Sequence, residues 1–166
     1  MLYPIIRYLD RVFHFPQAKA HCDVPCGIYD PITAQINALT VVRMIDLMDA
    51  LTTGEEKPLL EFHNAMTRYV AVKEEHAEKA KHEIRVIWGD FIKDAYLEAY
   101  PQLPGLVHKI MQLGSKCRQS ADRDHGLALV ESINDFAEIF WALKGVKTKK
   151  AKAPYAPGLE MVYPDL

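Results

Sequence analysis

Apolar residues recur at three- and four-residue spacing through four stretches of this 166-residue chain, and helices packed side by side are the economical way to bury such stripes. The first stretch carries Ile36, Leu39, Val42, Met44, Ile45, Met48 and Leu51 and stops at "TTG". Asp30 and Pro31 are its start signal: the Asp carboxylate accepts from the first free amides, and proline at the first helical position gives up no hydrogen bond. The second stretch opens at Pro58 and keeps Leu59, Phe62, Met66, Tyr69, Val70, Ala77, Ala80, Ile84, Ile87, Trp88 and Phe91 on one face, past "GDF". "YPQLPG" breaks that pattern, and a third helix with Leu106, Ile110, Met111 and Leu113 runs to about Lys116. "SADRD" supplies caps for a fourth, striped by Leu129, Val130, Ile133, Phe136, Ala137, Phe140, Trp141 and Leu143. Short connections predict an all-α fold, an antiparallel four-helix bundle over about residues 32–145. The basic, then proline-rich remainder, 146–166, is expected to be an irregular tail.

Composition narrows the function classes. Hydrophobic residues make up 49% and charged ones 25%, the balance of a chain that folds around a core. A formal charge of −2 gives no electrostatic reason to expect nucleic acid as a partner. No run approaches the roughly 20 apolar residues of a membrane span. Three cysteines are too few for a disulfide scaffold, which favours a reducing compartment and hence the cytoplasm.

A bundle alone leaves chemistry open, and most polar constellations are missing. No histidine has a glutamate three residues before it, so the di-iron pattern of ferritin-like bundles is absent. There is no H-E-x-x-H, no glycine-rich phosphate loop and no G-x-S-x-G. His63, His76, His82, His108 and His125 are scattered over helices and read as surface or satisfied residues, and Cys117 as a small core hydrophobe.

"HCDVPCGIYDP", His21 to Pro31, is different. Two soft thiolates and an imidazole within six residues are a dense donor set for a chain so poor in cysteine. Cα atoms four residues apart reach ~13 Å when extended, so both sulfurs meet one ion only if the loop curls back. Pro25 and Gly27, flanking Cys26, permit such a hook. A C-x3-C disulfide is sterically possible but leaves His21 unexplained, and a structural zinc site wants two separated ligand pairs where one is evident. Before the hook, "MLYPIIRYLDRVFHFPQAKA" ends in small residues, but Arg7, Asp10 and Arg11 interrupt what a signal peptide would keep apolar.

His21, Cys22, Asp23, Pro25, Cys26, Gly27, Tyr29, Asp30 and Pro31 together resemble the nickel hook at the mature amino terminus of nickel superoxide dismutases. Further similarity runs through "KEEHAEKAKHEIRVIWGDFIK" and "IFWALK". The resemblance implies disproportionation of superoxide to dioxygen and hydrogen peroxide by Ni(II)/Ni(III) cycling, with one nickel ion per subunit. Its ligands would be His21, through amino-terminal nitrogen and imidazole, the backbone nitrogen and thiolate of Cys22, and the thiolate of Cys26. Two nitrogens and two sulfurs suit square-planar Ni(II), and anionic donors stabilise Ni(III).

The same resemblance explains the leading segment. While Ala20 is attached, the His21 nitrogen is an amide; cutting between Ala20 and His21 makes it an amine. Residues 1–20 are therefore expected to be a pro-segment removed by a maturation protease, taking the formal charge from −2 to −4, and residues 21–166 to be the dismutase domain, with the irregular hook at 21–31. Tyr29 is expected at the open face, ordering water and restricting access to small anions, and Asp23 to hold the hook through backbone hydrogen bonds. Lys81 and Lys93 are candidates for drawing in the superoxide anion. The family assembles as a homohexamer, which implies the same partners here.

Departures from the family pattern are specific. A carboxylate on the first helix and an arginine on the second usually steady the imidazole; Asn37 and His76 stand there in this chain, and Phe91 replaces a tyrosine. Two rival functions are compatible with the residues: a nickel- or zinc-binding helical bundle without turnover, and a dithiol redox protein using Cys22 and Cys26. Neither rival accounts for Tyr29, Asp30 and Pro31 following the hook in that order.

Overall fold

The computed structural model describes residues 27–166. Residues 1–26, which include the expected pro-segment and the hook residues His21, Cys22, Asp23 and Cys26, lie outside the described residues.

Helix α1 spans Ile32–Thr53. Its start follows from Asp30 and Pro31: the Asp30 carboxylate accepts from the Ile32 N–H at 2.8 Å, and the Pro31 carbonyl accepts from Gln35 at 3.1 Å. Helix α2 spans Leu59–Val86 and runs on into a π-helical turn, Ile87–Phe91. The expected stripe past "GDF" therefore continues, but with the backbone widened to bond five residues apart, as Ile92 N–H does to the Ile87 carbonyl at 3.2 Å. A short helix α3, Asp94–Ala99, fills the connection where sequence periodicity is too brief to register. Helix α4 spans Leu103–Gln119 with Pro104 in its first turn, and α5 spans Arg123–Leu143, where Asp122 accepts from the Asp124 N–H at 2.9 Å.

The four long helices close a ring of contacts. Helix α1 packs against α2 and α5, and α4 packs against the same two. Leu39, Ile84, Leu103, Ile110, Leu129, Ile133, Phe136 and Phe140 are fully buried where they meet. The closest approach uses Gly126: a Cβ there would lie 2.9 Å from Val42 Cγ2, so α1 and α5 meet where a side chain is missing. A buried lysine ties α2 to α4. Lys73, 2% exposed, donates to the carbonyl of Cys117 and to that of Arg118 at 3.0 Å, so a cation satisfies the open carboxyl end of α4.

Two expectations are corrected. Apolar residues of the first half of α2 do not reach the core: nothing between residues 59 and 72 is buried, and Leu60 is 83% exposed. Helix α4 ends beside Lys73, so this half of α2 has only the end of α1 to pack against. The segment expected as an irregular tail is a β-hairpin, β1 (Thr148–Lys152) paired antiparallel with β2 (Glu160–Pro164), which also amends the all-α reading to a mostly helical one with a small sheet. Its lysines and prolines disguise it locally, and its order comes from distant partners. Met161 and Val162 are buried, and the Gln35 side-chain amide mimics a neighbouring strand, donating to the Val162 carbonyl at 3.0 Å and accepting from its N–H at 2.7 Å. Among the described residues, no helix is long and apolar enough to cross a membrane.

Candidate metal centre

The chain emerges from the hook at Gly27, whose φ of 70° lies in the left-handed region that glycine enters without strain. Two residues later Tyr29 is half-buried, its ring 5.8 Å from that of Phe91 in the π-helical turn. Phe91 in turn stacks on Tyr96 at 5.7 Å and meets Phe140 at 4.9 Å. The segment that follows Cys26 is thus seated on an aromatic cluster built from the end of α2, α3 and the end of α5.

Of the lysines singled out from sequence, Lys81 points elsewhere, donating to Ser115 Oγ at 3.1 Å, and Lys93 donates to the Asp90 carbonyl at 2.8 Å in the turn that carries Phe91. The cation that sits on the cluster is Lys144, with Nζ 5.5 Å from the Phe91 ring centre and 5.2 Å from that of Phe140. Sequence reasoning missed it, although its position one helical turn after Phe140 was the available signal.

Asn37 and His76, the two departures, are brought together. Asn37 Oδ1 and His76 Nδ1 are 2.6 Å apart, with Asn37 buried on α1 and His76 half-buried on α2. With Oδ1 accepting, Nδ1 carries the proton, and Nε2 of the neutral ring remains an acceptor. Burial, and after it the charge of Lys79, hold this imidazole below its ordinary pKa against the opposing pull of Glu75.

Among the described residues, no three His, Cys, Asp or Glu side chains converge to hold a metal ion. Cys117 is buried, and burial pushes its thiol up to about 11, so it is a core residue and not a thiolate donor. His108 pairs with Gln112 at 2.9 Å and His125 with Ser120 at 3.2 Å. The donor chemistry of this chain is therefore concentrated in His21, Cys22 and Cys26. Two thiolates beside nitrogen donors form a set that suits a square-planar ion and is too soft for magnesium or calcium.

Comparison with known proteins agrees with that donor set. Residues 16–144 match the profile of the family described as nickel-containing superoxide dismutase. The chain is 36% identical over 133 residues to the nickel superoxide dismutase of Streptomyces coelicolor, covering 80% of this chain and 91% of that protein. It is 37% identical over 145 residues to that of Streptomyces seoulensis, covering 86% and 99%. The native crystal structure of a nickel superoxide dismutase superposes with a TM-score of 0.65 at 35% identity, covering 75% of this chain and 99% of the other. One with nickel ligation corresponding to the oxidised state gives 0.66 at the same identity and coverage.

Proposed function

This chain belongs to the nickel-containing superoxide dismutase family, and we propose that its chemistry is carried by the hook from His21 to Tyr29. It is an oxidoreductase that converts two superoxide anions and two protons to dioxygen and hydrogen peroxide, with nickel as its cofactor. Bound nickel supplies a one-electron Ni(III)/Ni(II) couple, accepting an electron from one superoxide and returning it to another.

The carrying observation is the donor set in "HCDVPC" within a chain that matches the family over residues 16–144. His21 holds the ion through its amino group and imidazole, Cys22 through its amide nitrogen and thiolate, and Cys26 through its thiolate. Tyr29 orders water at the open face and limits entry to small anions; its seat on Phe91, three residues past Cys26, supports that role. Asp23 holds the loop through backbone hydrogen bonds. The 2.6 Å contact between Asn37 and His76 supports reading them as a neutral replacement for the charged pair that steadies the His21 imidazole.

Residues 1–20 act as a pro-segment in this reading, because only cleavage after Ala20 frees the His21 amine. Residues 21–166 then form the mature unit, an antiparallel four-helix bundle with a terminal hook, a reading supported by the closed ring of contacts among the long helices. The exposed apolar residues of α2, Leu59 and Leu60 foremost, support assembly into a homohexamer whose subunits cover them. The low cysteine count supports a cytoplasmic location.

The test compares protein beginning at His21 with the full chain, both reconstituted with nickel under reducing conditions. Dismutation by the cut form alone is expected. Full activity from protein shown by mass spectrometry to retain Met1 would overturn the maturation step, and nickel binding without turnover in both forms would overturn the catalytic assignment.

A further inference from the structure

The hairpin lies beyond residues 16–144, the part of the chain that matches the family, and it builds a cleft with α5. The cleft has a volume of about 330 Å³. Its apolar wall is Leu127 and Val130 from α5 and Leu159 from the hairpin. Its polar wall is acidic: Glu131 and Asp135, one helical turn apart, face Glu160 of β2. Lys150 also borders it, but its ammonium is engaged by Glu138 at 3.1 Å.

A separate observation points to a ligand. Asn134 lines the same cleft, is 8% exposed, and donates through Nδ2 to the Glu160 carbonyl at 2.9 Å. Its Oδ1 is buried with no hydrogen-bond partner among the described residues. A buried acceptor left without a donor is costly, so this oxygen calls for an N–H or O–H from outside the chain. The Asp135 carboxyl is held above its ordinary range by burial and then by Glu131 and Glu138, so added positive charge would be favourable there.

The groups on offer to a ligand are acceptors and aliphatic side chains. The ligand must therefore donate hydrogen bonds, carry positive charge and present an apolar stem. A bare metal ion fits poorly, since no three carboxylate or histidine groups among the described residues converge on one point, and the cleft is far larger than an ion. We propose that the cleft binds an alkylammonium ion, its head among Asp135, Glu131 and Asn134 Oδ1 and its stem along Leu127, Val130 and Leu159. Val130 and Phe140 are ten residues apart on α5, about 15 Å along its axis, so the cleft is separate from the aromatic cluster beneath Tyr29.

The test titrates the ¹⁵N-labelled full chain at constant ionic strength with butane-1,4-diamine, protonated at neutral pH, and with lysine blocked at both termini. A saturable shift of the Asn134 side-chain amide and of the backbone around Glu160 is expected. Asp135→Asn, and independently Glu131→Gln at its exposed position, should each weaken binding about tenfold while leaving thermal stability and dismutation unchanged. Tighter binding of the diamine identifies a free polyamine as the source, tighter binding of blocked lysine identifies a side chain of a partner protein, and either supports alkylammonium recognition. No saturable shift at millimolar concentrations, the same shift from potassium chloride, or binding that neither substitution weakens would overturn it.

Discussion

The two flanks of α5 are organised by different physics. At its carboxyl end Phe140 joins Phe91 and Tyr29 in an aromatic cluster, and this flank lies in the part of the chain shared with the family. Along its middle, α5 meets a hairpin beyond that part, held by polar side chains that grip backbone: Gln35 on Val162 and Asn134 on Glu160. Apolar packing around the aromatic flank tolerates small shifts in register, as suits a surface that seats a terminal loop. The hairpin flank is directional, because each amide must meet its particular peptide group. Damage to the first should therefore appear in chemistry, and damage to the second in stability.

The sharpest break in that comparison comes from the hook. Cys26→Ser should abolish stoichiometric nickel binding and lower dismutation at least about a hundredfold, since losing a ligand exceeds the usual cost of losing its outer partners. Thermal unfolding of the described helices should barely change. Metal analysis beside the activity assay checks this, and retained nickel with retained turnover would remove Cys26 from the donor set. Next in size is Gln35→Leu, which leaves the buried Val162 N–H and carbonyl without partners and should cost about 2–4 kcal/mol. Dismutation at a temperature where the variant stays folded should be unchanged. Equal losses in both assays would mean that the flanks are coupled.

That asymmetry also explains which parts were legible in the sequence. The starts of α1 and α5 were readable because Asp30 and Asp122 act within two residues of themselves. The stripes of α4 and α5 were readable because their buried residues repeat every turn, and the hook because metal donors are chemically distinctive at short spacing. The hairpin was not readable: "TKKAK" alternates nothing, and its partner strand is ordered by a glutamine 127 residues away in sequence. Lys73 was hidden for the same reason, since its burial makes sense only once the carbonyl end of α4 arrives beside it. The exposed half of α2 misled in the opposite direction, because periodicity records an apolar face without saying what covers it.

A finer distinction separates ligand from support within the catalytic flank. His76→Leu removes the donor to Asn37 and should reduce dismutation about tenfold with nickel retained, the usual size for an outer partner of a metal ligand. It should also alter the pH dependence of stability. The folded imidazole sits below its unfolded value, so the unfolded chain binds more protons as pH falls through that window. Stability in the parent is then complete above the ordinary histidine pKa and lost as pH falls through the depressed one. Melting temperatures measured from neutral pH downward should decline less in His76→Leu. An equal decline would mean that His76 is not held neutral by the fold.

The smallest effect should belong to Lys144. Its ammonium lies over Phe91 and Phe140, the rings that seat Tyr29, so the same contact that anchors the aromatic cluster brings a positive charge to the side of the molecule from which superoxide approaches. A single exposed cation adds modestly to the capture of an anion, and its reach is the Debye length, about 8 Å at physiological salt. Lys144→Gln should accordingly lower the second-order rate about threefold at low ionic strength, with the difference fading as salt is added. Lys81→Gln, whose ammonium is turned toward Ser115 and Glu78, should leave that rate unchanged and so serves as the control for net charge. If the two substitutions lowered the rate equally, overall charge would be responsible and not the cation beside Tyr29. If the Lys144 deficit persisted at high salt, the loss would lie in packing of the aromatic cluster, and Tyr29 would depend on Lys144 for its seat.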